Sequence, residues 1–156
     1  MKIIYTALTL SIATACSIAL ISCGEKESST PSEASSSQTS IESFIITTAP
    51  EDALSIMDVR KSIEIGKEIT IAGKVMGRKE PFIDGRALVV LGDPAVITSC
   101  DLRPGDNCPT PWDVCCDDHG DIKASTATIQ ILDSNGKPLK QGLKGVSGIK
   151  ELSNII

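Results

Sequence analysis

Residues 68–75 read EITIAGKV and form the most regular pattern in the chain. Apolar residues or glycine occupy every second position, which is typical of a β-strand with one buried face. That face consists of Ile69, Ile71, Gly73 and Val75. Because Gly73 interrupts the apolar side chains, it indicates a bulge or a tight bend. The stretch therefore predicts a strongly bent first strand of a small β domain.

Further strands are predicted on the C-terminal side of this stretch. Residues 87–91 are a short apolar run after the turn signal IDGR at 83–86, and residues 126–132 alternate again before the tight turn DSNG at 133–136. Residues 153–156 begin a further strand. Residues 41–48 are short and apolar, and they are predicted to be either an edge strand or the end of a linker.

Two short helices are predicted around these strands. Thr48 and Glu51 have the spacing of a capping box, and a ragged apolar stripe continues from there to Ser62. Residues 143–152 have helical spacing, which Gly145 and Gly148 weaken.

The resulting order is helix, strand, strand, loop, strand, helix, strand. It resembles the OB-fold, a five-stranded and partly open barrel. An immunoglobulin-like sandwich is the competing fold, but it needs about seven strands, and only four or five are recognised here. Residues 43–156 are therefore predicted to form a mainly β, small, OB-like, partly open barrel with one or two short helices.

The N-terminus resembles a bacterial lipoprotein signal. Lys2 is followed by an apolar run over residues 3–21 and by LISC at 20–23, the form of a lipobox. The resemblance implies that residues 1–22 are a cleaved signal peptide and that Cys23 is acylated with fatty chains such as palmitate. Several buried acyl chains would attach the protein firmly to a membrane. A retained membrane helix and cleavage after Ala15 are the alternatives.

This resemblance predicts a lipid-anchored protein on the periplasmic side of the cell envelope. Gly24 stands where an aspartate often retains such proteins in the inner membrane, so the outer membrane is slightly favoured. Residues 23–42 comprise the acylated cysteine and a Ser-rich tether, which has too few apolar side chains to fold.

Composition argues against a nucleic-acid partner. The chain carries a formal net charge of -5, and removal of residues 1–22 takes away Lys2 and no acid, which leaves -6. Binding to a nucleic-acid backbone requires clustered Lys and Arg instead. Outside the signal peptide the aromatic residues are Phe44, Phe82 and Trp112, few for base stacking.

The second informative region is the predicted loop at 99–119, which holds four of the six cysteines and the single histidine, His119. In an oxidising compartment the favoured interpretation is two disulfides. A bond between the neighbours Cys115 and Cys116 would strain the intervening peptide. Each of them would therefore pair with Cys100 or Cys108, and both pairings stay open.

Two other interpretations use the same cysteines. Cys100, Cys108, Cys115, Cys116 and His119 are soft ligands that suit zinc or copper, although their spacing is not that of a zinc knuckle. A redox dithiol is the third interpretation, but the Cys-x-x-Cys form is absent. Trp112 is predicted to pack the loop onto the barrel, and the acids around His119 are expected to form a solvated turn.

Two segments carry a resemblance to a family of uncharacterised bacterial lipoproteins. They are GRKEPF at 77–82 and CPTPWDVCC at 108–116. Further matching positions are Gly85, Arg86, Ala87, Asp93 and Cys100. The resemblance covers residues 65–156 and implies a lipobox, a Ser-rich tether and one OB-like domain. It implies no activity.

The sequence as a whole predicts a protein that is not an enzyme and needs no cofactor. No nucleophile stands beside a recognisable base, and no phosphate-binding loop is present. The leading hypothesis is a lipid-anchored domain that binds a small ligand or an envelope protein beside a disulfide-stapled loop. The alternatives are zinc or copper binding through the cysteines and a purely structural envelope role.

Overall fold

The computed structural model of this protein describes residues 40–156. The predicted signal peptide, Cys23 and the tether up to residue 39 lie outside the described residues. Five strands and two α-helices follow one another: β1 (Leu54–Ser55), α1 (Ile56–Ser62), β2 (Ile71–Val75), β3 (Leu88–Gly92), α2 (His119–Ser125), β4 (Thr126–Gln130) and β5 (Asn154–Ile155). Short 3-10 helices cover Ile41–Phe44, Cys100–Leu102 and Val146–Gly148.

The strands form one mixed sheet. Its main order is β1-β2-β3-β4, and β5 also pairs with β2. β1 is parallel to β2, whereas the other three pairings are antiparallel. In the longest pairing Val89 lies opposite Ile129, so their side chains share one face of the sheet. The prediction of a small, mainly β fold is thus confirmed at this level, while the sheet is open.

Both predicted turns are confirmed. The N–H of Arg86 donates to the carbonyl of Ile83 over 3.1 Å, and the N–H of Gly136 donates to the carbonyl of Asp133 over 2.9 Å. Gly136 has φ 73°, a left-handed conformation that glycine adopts without a steric penalty. These local signals explain why β3 and β4 lie close to their predicted positions.

Gly73 is needed for close packing within a regular strand. It pairs in register with Ile155, and Lys74 pairs with the preceding residue of β5. A Cβ atom on Gly73 would lie 2.9 Å from Cβ of Leu91 and 3.2 Å from Cδ1 of Ile56. The regular pairing of Gly73 contradicts the predicted bulge. Glycine is required here because β3 and α1 approach this position closely.

The predicted helices required three corrections. α1 begins at Ile56, because the hydroxyl of Ser55 accepts the N–H of Asp58 over 3.1 Å; Thr48 caps no helix. α2 lies at the end of the predicted loop, and Asp118 caps it. Residues 143–152 form no α-helix, since Gly145, Ser147 and Gly148 have positive φ angles that a right-handed helix excludes.

Apolar side chains collect in two clusters. The larger packs one face of the sheet against α1 and two loop segments, and its buried members are Ile41, Ile56, Val75, Ala87, Val89, Leu91, Leu139 and Leu143. Ile41 lies in a 3-10 helix, whereas a strand or the end of a linker was predicted there, and its N–H donates to Oε1 of Gln141 over 2.9 Å. The smaller cluster consists of Met76, Ile97 and Val114.

Among residues 40–156 no helix combines the length and the apolar character that crossing a bilayer requires.

Candidate metal centre

The cysteine-rich loop is folded by its own backbone. The N–H of Cys100 donates to the carbonyl of Asp113 over 2.9 Å, and the N–H of Asp101 donates to the carbonyl of Pro111 over 2.8 Å. These two bonds hold the beginning of the loop beside its end. Cys100 is thereby placed next to Cys115, although fifteen positions separate them along the chain.

Polar side chains fix both ends of the loop. Asp117 accepts the N–H of Thr98 over 2.8 Å with one carboxylate oxygen, and it pairs with the guanidinium group of Arg103 through the other. Lys74 on β2 donates to the hydroxyl of Ser99 over 3.1 Å. Because hydrogen bonds with a charged partner are the stronger ones, the loop has a defined shape without a covalent crosslink.

Trp112 lies between the loop and the rest of the domain. Its ring packs against the cluster of Met76, Ile97 and Val114. Its indole N–H donates to the carbonyl of Lys79 over 2.8 Å. A large aromatic ring whose N–H has a hydrogen-bond partner is well suited to a partly buried position. Trp112 therefore packs the loop against the rest of the domain.

Three sulfur atoms form the centre of the site. Those of Cys100, Cys115 and Cys116 all lie within 4.8 Å of one another. The distance is 3.9 Å between Cys100 and Cys115 and 4.0 Å between Cys115 and Cys116. A disulfide requires about 2.05 Å, so the described cysteines are free thiols in this structure.

The thiols differ in their surroundings. Cys100 is 3% exposed, whereas Cys115 and Cys116 lie at the surface. Burial, followed by hydrogen bonds with Cys108, Cys115 and Asp106, raises the pKa of the Cys100 thiol. The hydrogen bond with Cys100 lowers the pKa of Cys115, but Cys116 and burial outweigh it, so that pKa is raised as well. Adjacent thiolates repel one another, and a bound cation would remove that repulsion.

Cys108 lies at the margin of the three-sulfur group. Its sulfur is 3.4 Å from the hydroxyl and 3.5 Å from the carbonyl of Thr110. Hydrogen bonds with the side chain and the backbone of Thr110 lower the pKa of Cys108. Its own N–H donates to Oδ1 of Asp106 over 2.9 Å, while Oδ2 of Asp106 is 4.0 Å from the sulfur of Cys116. Asp106 therefore contacts both Cys108 and Cys116, and Asp106 and Cys108 each carry an atom that can bind a metal ion.

His119 is not part of this group. It is the first residue of α2, is exposed, and lies outside the set of ligand atoms around Cys100. Asp118 caps α2 by accepting the N–H of Gly120 over 2.7 Å. The acids that precede His119 thus serve the loop and the helix, since Asp117 binds Arg103.

Asp106 was missed by the sequence analysis. Asparagine and aspartate often accept the N–H two residues further along the chain, and Asp106 stands two residues before Cys108. This spacing of two residues is the sequence pattern that could have predicted the contact between Asp106 and Cys108. Its second contact, with Cys116, depends on the folded loop and has no local pattern in the sequence.

An apolar cavity of about 670 Å³ lies elsewhere among the described residues. Val89, Leu91 and Ile129 form its floor on β3 and β4. Its walls come from the segment around Phe44 and from the C-terminal residues near Ile156. None of the described residues that line it has a charged side chain. Small-molecule sites commonly have about 300–1,000 Å³ and mostly apolar walls.

No protein-family model, no curated protein and no solved structure matches this chain. The resemblance to uncharacterised bacterial lipoproteins therefore rests on the sequence motifs alone and remains a prediction.

Proposed function

We propose that this protein is a lipid-anchored component of the cell envelope that binds a thiophilic metal ion through Cys100, Cys115 and Cys116. The supporting observation is the spacing of the sulfur atoms. In a tetrahedral site with zinc–sulfur bonds of about 2.3 Å, two thiolate ligands lie about 3.8 Å apart. The separations of 3.9 Å and 4.0 Å in this loop are close to that value.

The chemistry of the ligands narrows the choice of ion. Thiolates favour zinc and Cu⁺ over the hard cations magnesium and calcium. Three sulfurs suffice for a three-coordinate Cu⁺ site, and zinc would add Cys108 or Asp106 as a fourth ligand. His119 lies outside the three-sulfur group and is not assigned as a ligand.

Metal titration of the full chain carrying Cys16→Ser and Cys23→Ser tests this proposal, because the four loop cysteines are then its only thiols. After anaerobic reduction we expect one zinc or Cu⁺ ion per chain. Cys115→Ser should weaken binding at least about a hundredfold, since each metal ligand contributes strongly to affinity. Cys108→Ser removes only one of the two groups that could supply a fourth zinc ligand, so it should weaken zinc binding less than Cys115→Ser and should leave three-coordinate Cu⁺ binding nearly unchanged. Absence of stoichiometric metal from the reduced chain would overturn the proposal.

The membrane anchor is tested separately. Acylated Cys23 would place the protein on the periplasmic side, with the outer membrane slightly favoured. Mass spectrometry of the mature N-terminus should find fatty acyl groups on Cys23 and no residues 1–22. Cys23→Ser should release the protein from membranes, and an unmodified N-terminus in the soluble intracellular fraction would contradict the anchor.

The apolar cavity supports a second candidate function, a non-enzymatic β domain that binds a small apolar ligand. With about 670 Å³ and mostly apolar walls, the cavity has the size and character of a small-molecule site. In this second candidate function, the sheet would belong to an OB-like, partly open barrel. The cavity would be the interior of that barrel. None of the described residues that line the cavity belongs to the cysteine loop, so the loop would be a separate disulfide-stapled surface, with Cys100 and Cys115 3.9 Å apart.

Binding of the apolar dye N-phenyl-1-naphthylamine in detergent-free buffer tests the second candidate. Ile46 lines the cavity and is 67% exposed, so Ile46→Glu should abolish dye fluorescence without unfolding the domain. Ile65→Glu is the matched control, because Ile65 is fully exposed and does not line the cavity. Equal dye binding by both variants would exclude the cavity. Failure of both metal and dye to bind would leave the purely structural envelope role.

A further inference from the structure

We propose that the metal site is controlled by oxidation: Cys100 and Cys115 close to a disulfide, and closure releases the metal ion. This inference rests on the proposed metal binding and adds its regulation. Metal and disulfide would exclude each other because both use the same two sulfur atoms.

The geometry selects this pair of cysteines. The sulfurs of Cys100 and Cys115 are 3.9 Å apart and must approach to about 2.05 Å to form a bond. The hydrogen bond from the N–H of Cys100 to the carbonyl of Asp113 already holds the two chain segments together. Cys115 and Cys116 are almost as close, at 4.0 Å, but a bond between chain neighbours strains their shared peptide unit.

Exposure sets the order of the steps. Cys115 lies at the surface, where an oxidant has access, whereas Cys100 is buried beneath it. The Cys115 thiolate attacks one sulfur of an external disulfide, RSSR, which forms a mixed disulfide and expels RS⁻. The Cys100 thiolate then attacks the Cys115 sulfur and expels the second RS⁻. Both leaving groups take up protons, and two electrons pass from the protein sulfurs to the oxidant.

Release of the metal follows from the loss of ligands. Sulfur atoms in a disulfide carry no thiolate charge and are poor ligands. Only Cys116 and one further group, Cys108 or Asp106, would then remain to bind the ion. With so few ligands the ion would dissociate as a hydrated cation. By linkage, bound metal must oppose disulfide formation to the same extent that the disulfide opposes metal binding. In an oxidising compartment, the site would hold metal only while the oxidant is scarce.

The experiment uses the full chain with Cys16→Ser and Cys23→Ser, reduced, loaded with zinc and exposed to glutathione disulfide. A chromogenic chelator follows zinc release, and the disulfide is mapped after cleavage before aspartate. Cleavage before Asp101, Asp106 and Asp113 separates Cys100 and Cys108 from the remaining pair. We expect one zinc ion released per disulfide formed and a link between peptides 93–100 and 113–116. At a fixed ratio of glutathione disulfide to glutathione, saturating zinc should lower the equilibrium ratio of closed to open chain by about tenfold or more relative to the metal-free chain.

Variants show which cysteine of peptide 113–116 forms the bond to Cys100. Together with zinc binding they distinguish the oxidation switch from the metal-binding proposal. The link should persist in Cys116→Ser and disappear in Cys115→Ser. If the reduced chain binds no zinc, the metal proposal fails. If it binds zinc but keeps it after oxidation, or releases it through a bond that involves Cys108, the metal proposal stands and the oxidation switch is overturned.

Discussion

The carboxylate of Asp93 accepts the N–H of Met57 over 3.2 Å and thereby joins the residue after β3 to the first turn of α1. Its other oxygen accepts the N–H of Ala95 over 3.1 Å. Asp93 is 3% exposed, and both of these hydrogen bonds are partly buried. The side chain therefore fixes the position of α1 on the sheet and also the turn that leads to Ile97 under the cysteine loop.

Substitution of Asp93 should destabilise the domain. Asp93→Ala removes the acceptor of two partly buried hydrogen bonds and should lower the free energy of unfolding by about 1–3 kcal/mol. Asp93→Asn keeps one acceptor oxygen and should lose less. Urea denaturation followed by circular dichroism measures both variants. Equal stability of the alanine variant and the original chain would show that these hydrogen bonds contribute nothing.

The N-cap of α1 gives a prediction with an internal control. Ser55→Ala removes the acceptor of the Asp58 N–H and should lower the free energy of unfolding by about 1 kcal/mol. Thr48→Ala removes the residue that the sequence favoured as a cap and should have little effect. Thermal unfolding of the two variants compares them, and a larger loss for Thr48→Ala would contradict the observed helix start.

Close packing around Gly73 predicts sensitivity to a single methyl group. Gly73→Ala would place Cβ 2.9 Å from Cβ of Leu91, which should destabilise the domain by about 1–3 kcal/mol through overpacking. At Gly142 the nearest atom to an added Cβ is 3.9 Å away. Gly142→Ala should therefore be neutral or slightly stabilising. Denaturant midpoints test the contrast, and equal midpoints would count against it.

Trp112 is the single tryptophan of the chain and reports on the cysteine loop. Trp112→Phe keeps an aromatic ring but loses the 2.8 Å hydrogen bond to the carbonyl of Lys79. We expect a loss of about 1 kcal/mol, measured by circular dichroism. In the original chain, Cu⁺ binding should change the tryptophan fluorescence, and unchanged emission on saturation would place the ion elsewhere.

The ion pair between Lys144 and Glu151 predicts a dependence on pH. Burial raises the pKa of Glu151, but hydrogen bonds with Lys144 and the backbone and the Lys144 charge outweigh it, so the pKa is lowered. A carboxyl whose pKa is lower in the folded state stabilises the fold above its unfolded pKa, and this contribution disappears as the pH falls through the folded value.

Glu151→Gln should therefore lower stability at pH 7, by about 1 kcal/mol or less because Lys144 is well exposed. At a pH below both pKa values the variant and the original chain should be equally stable. Unfolding midpoints across this pH range test the prediction, and a difference that persists in acid would assign it to packing instead.

Local patterns in the sequence determined the strands and turns. Alternation of side chains predicted β2 and β4, and a short apolar run after a turn signal predicted β3, since strand faces depend on neighbouring residues. The turns at 83–86 and 133–136 followed from glycine and aspartate at fixed offsets. Four cysteines within one loop marked the site region before any fold was known, because their residue type alone limits the chemistry.

Only the tertiary structure decided the features that join distant positions. Ile41 enters the core because Leu139 and Leu143 lie opposite it, and Ser55 rather than Thr48 caps α1 because β1 pairs with β2 up to that residue. The meeting of Cys100 with Cys115 depends on two backbone hydrogen bonds across the loop. Such contacts arise from loop closure and packing, whose free energies depend on the whole chain.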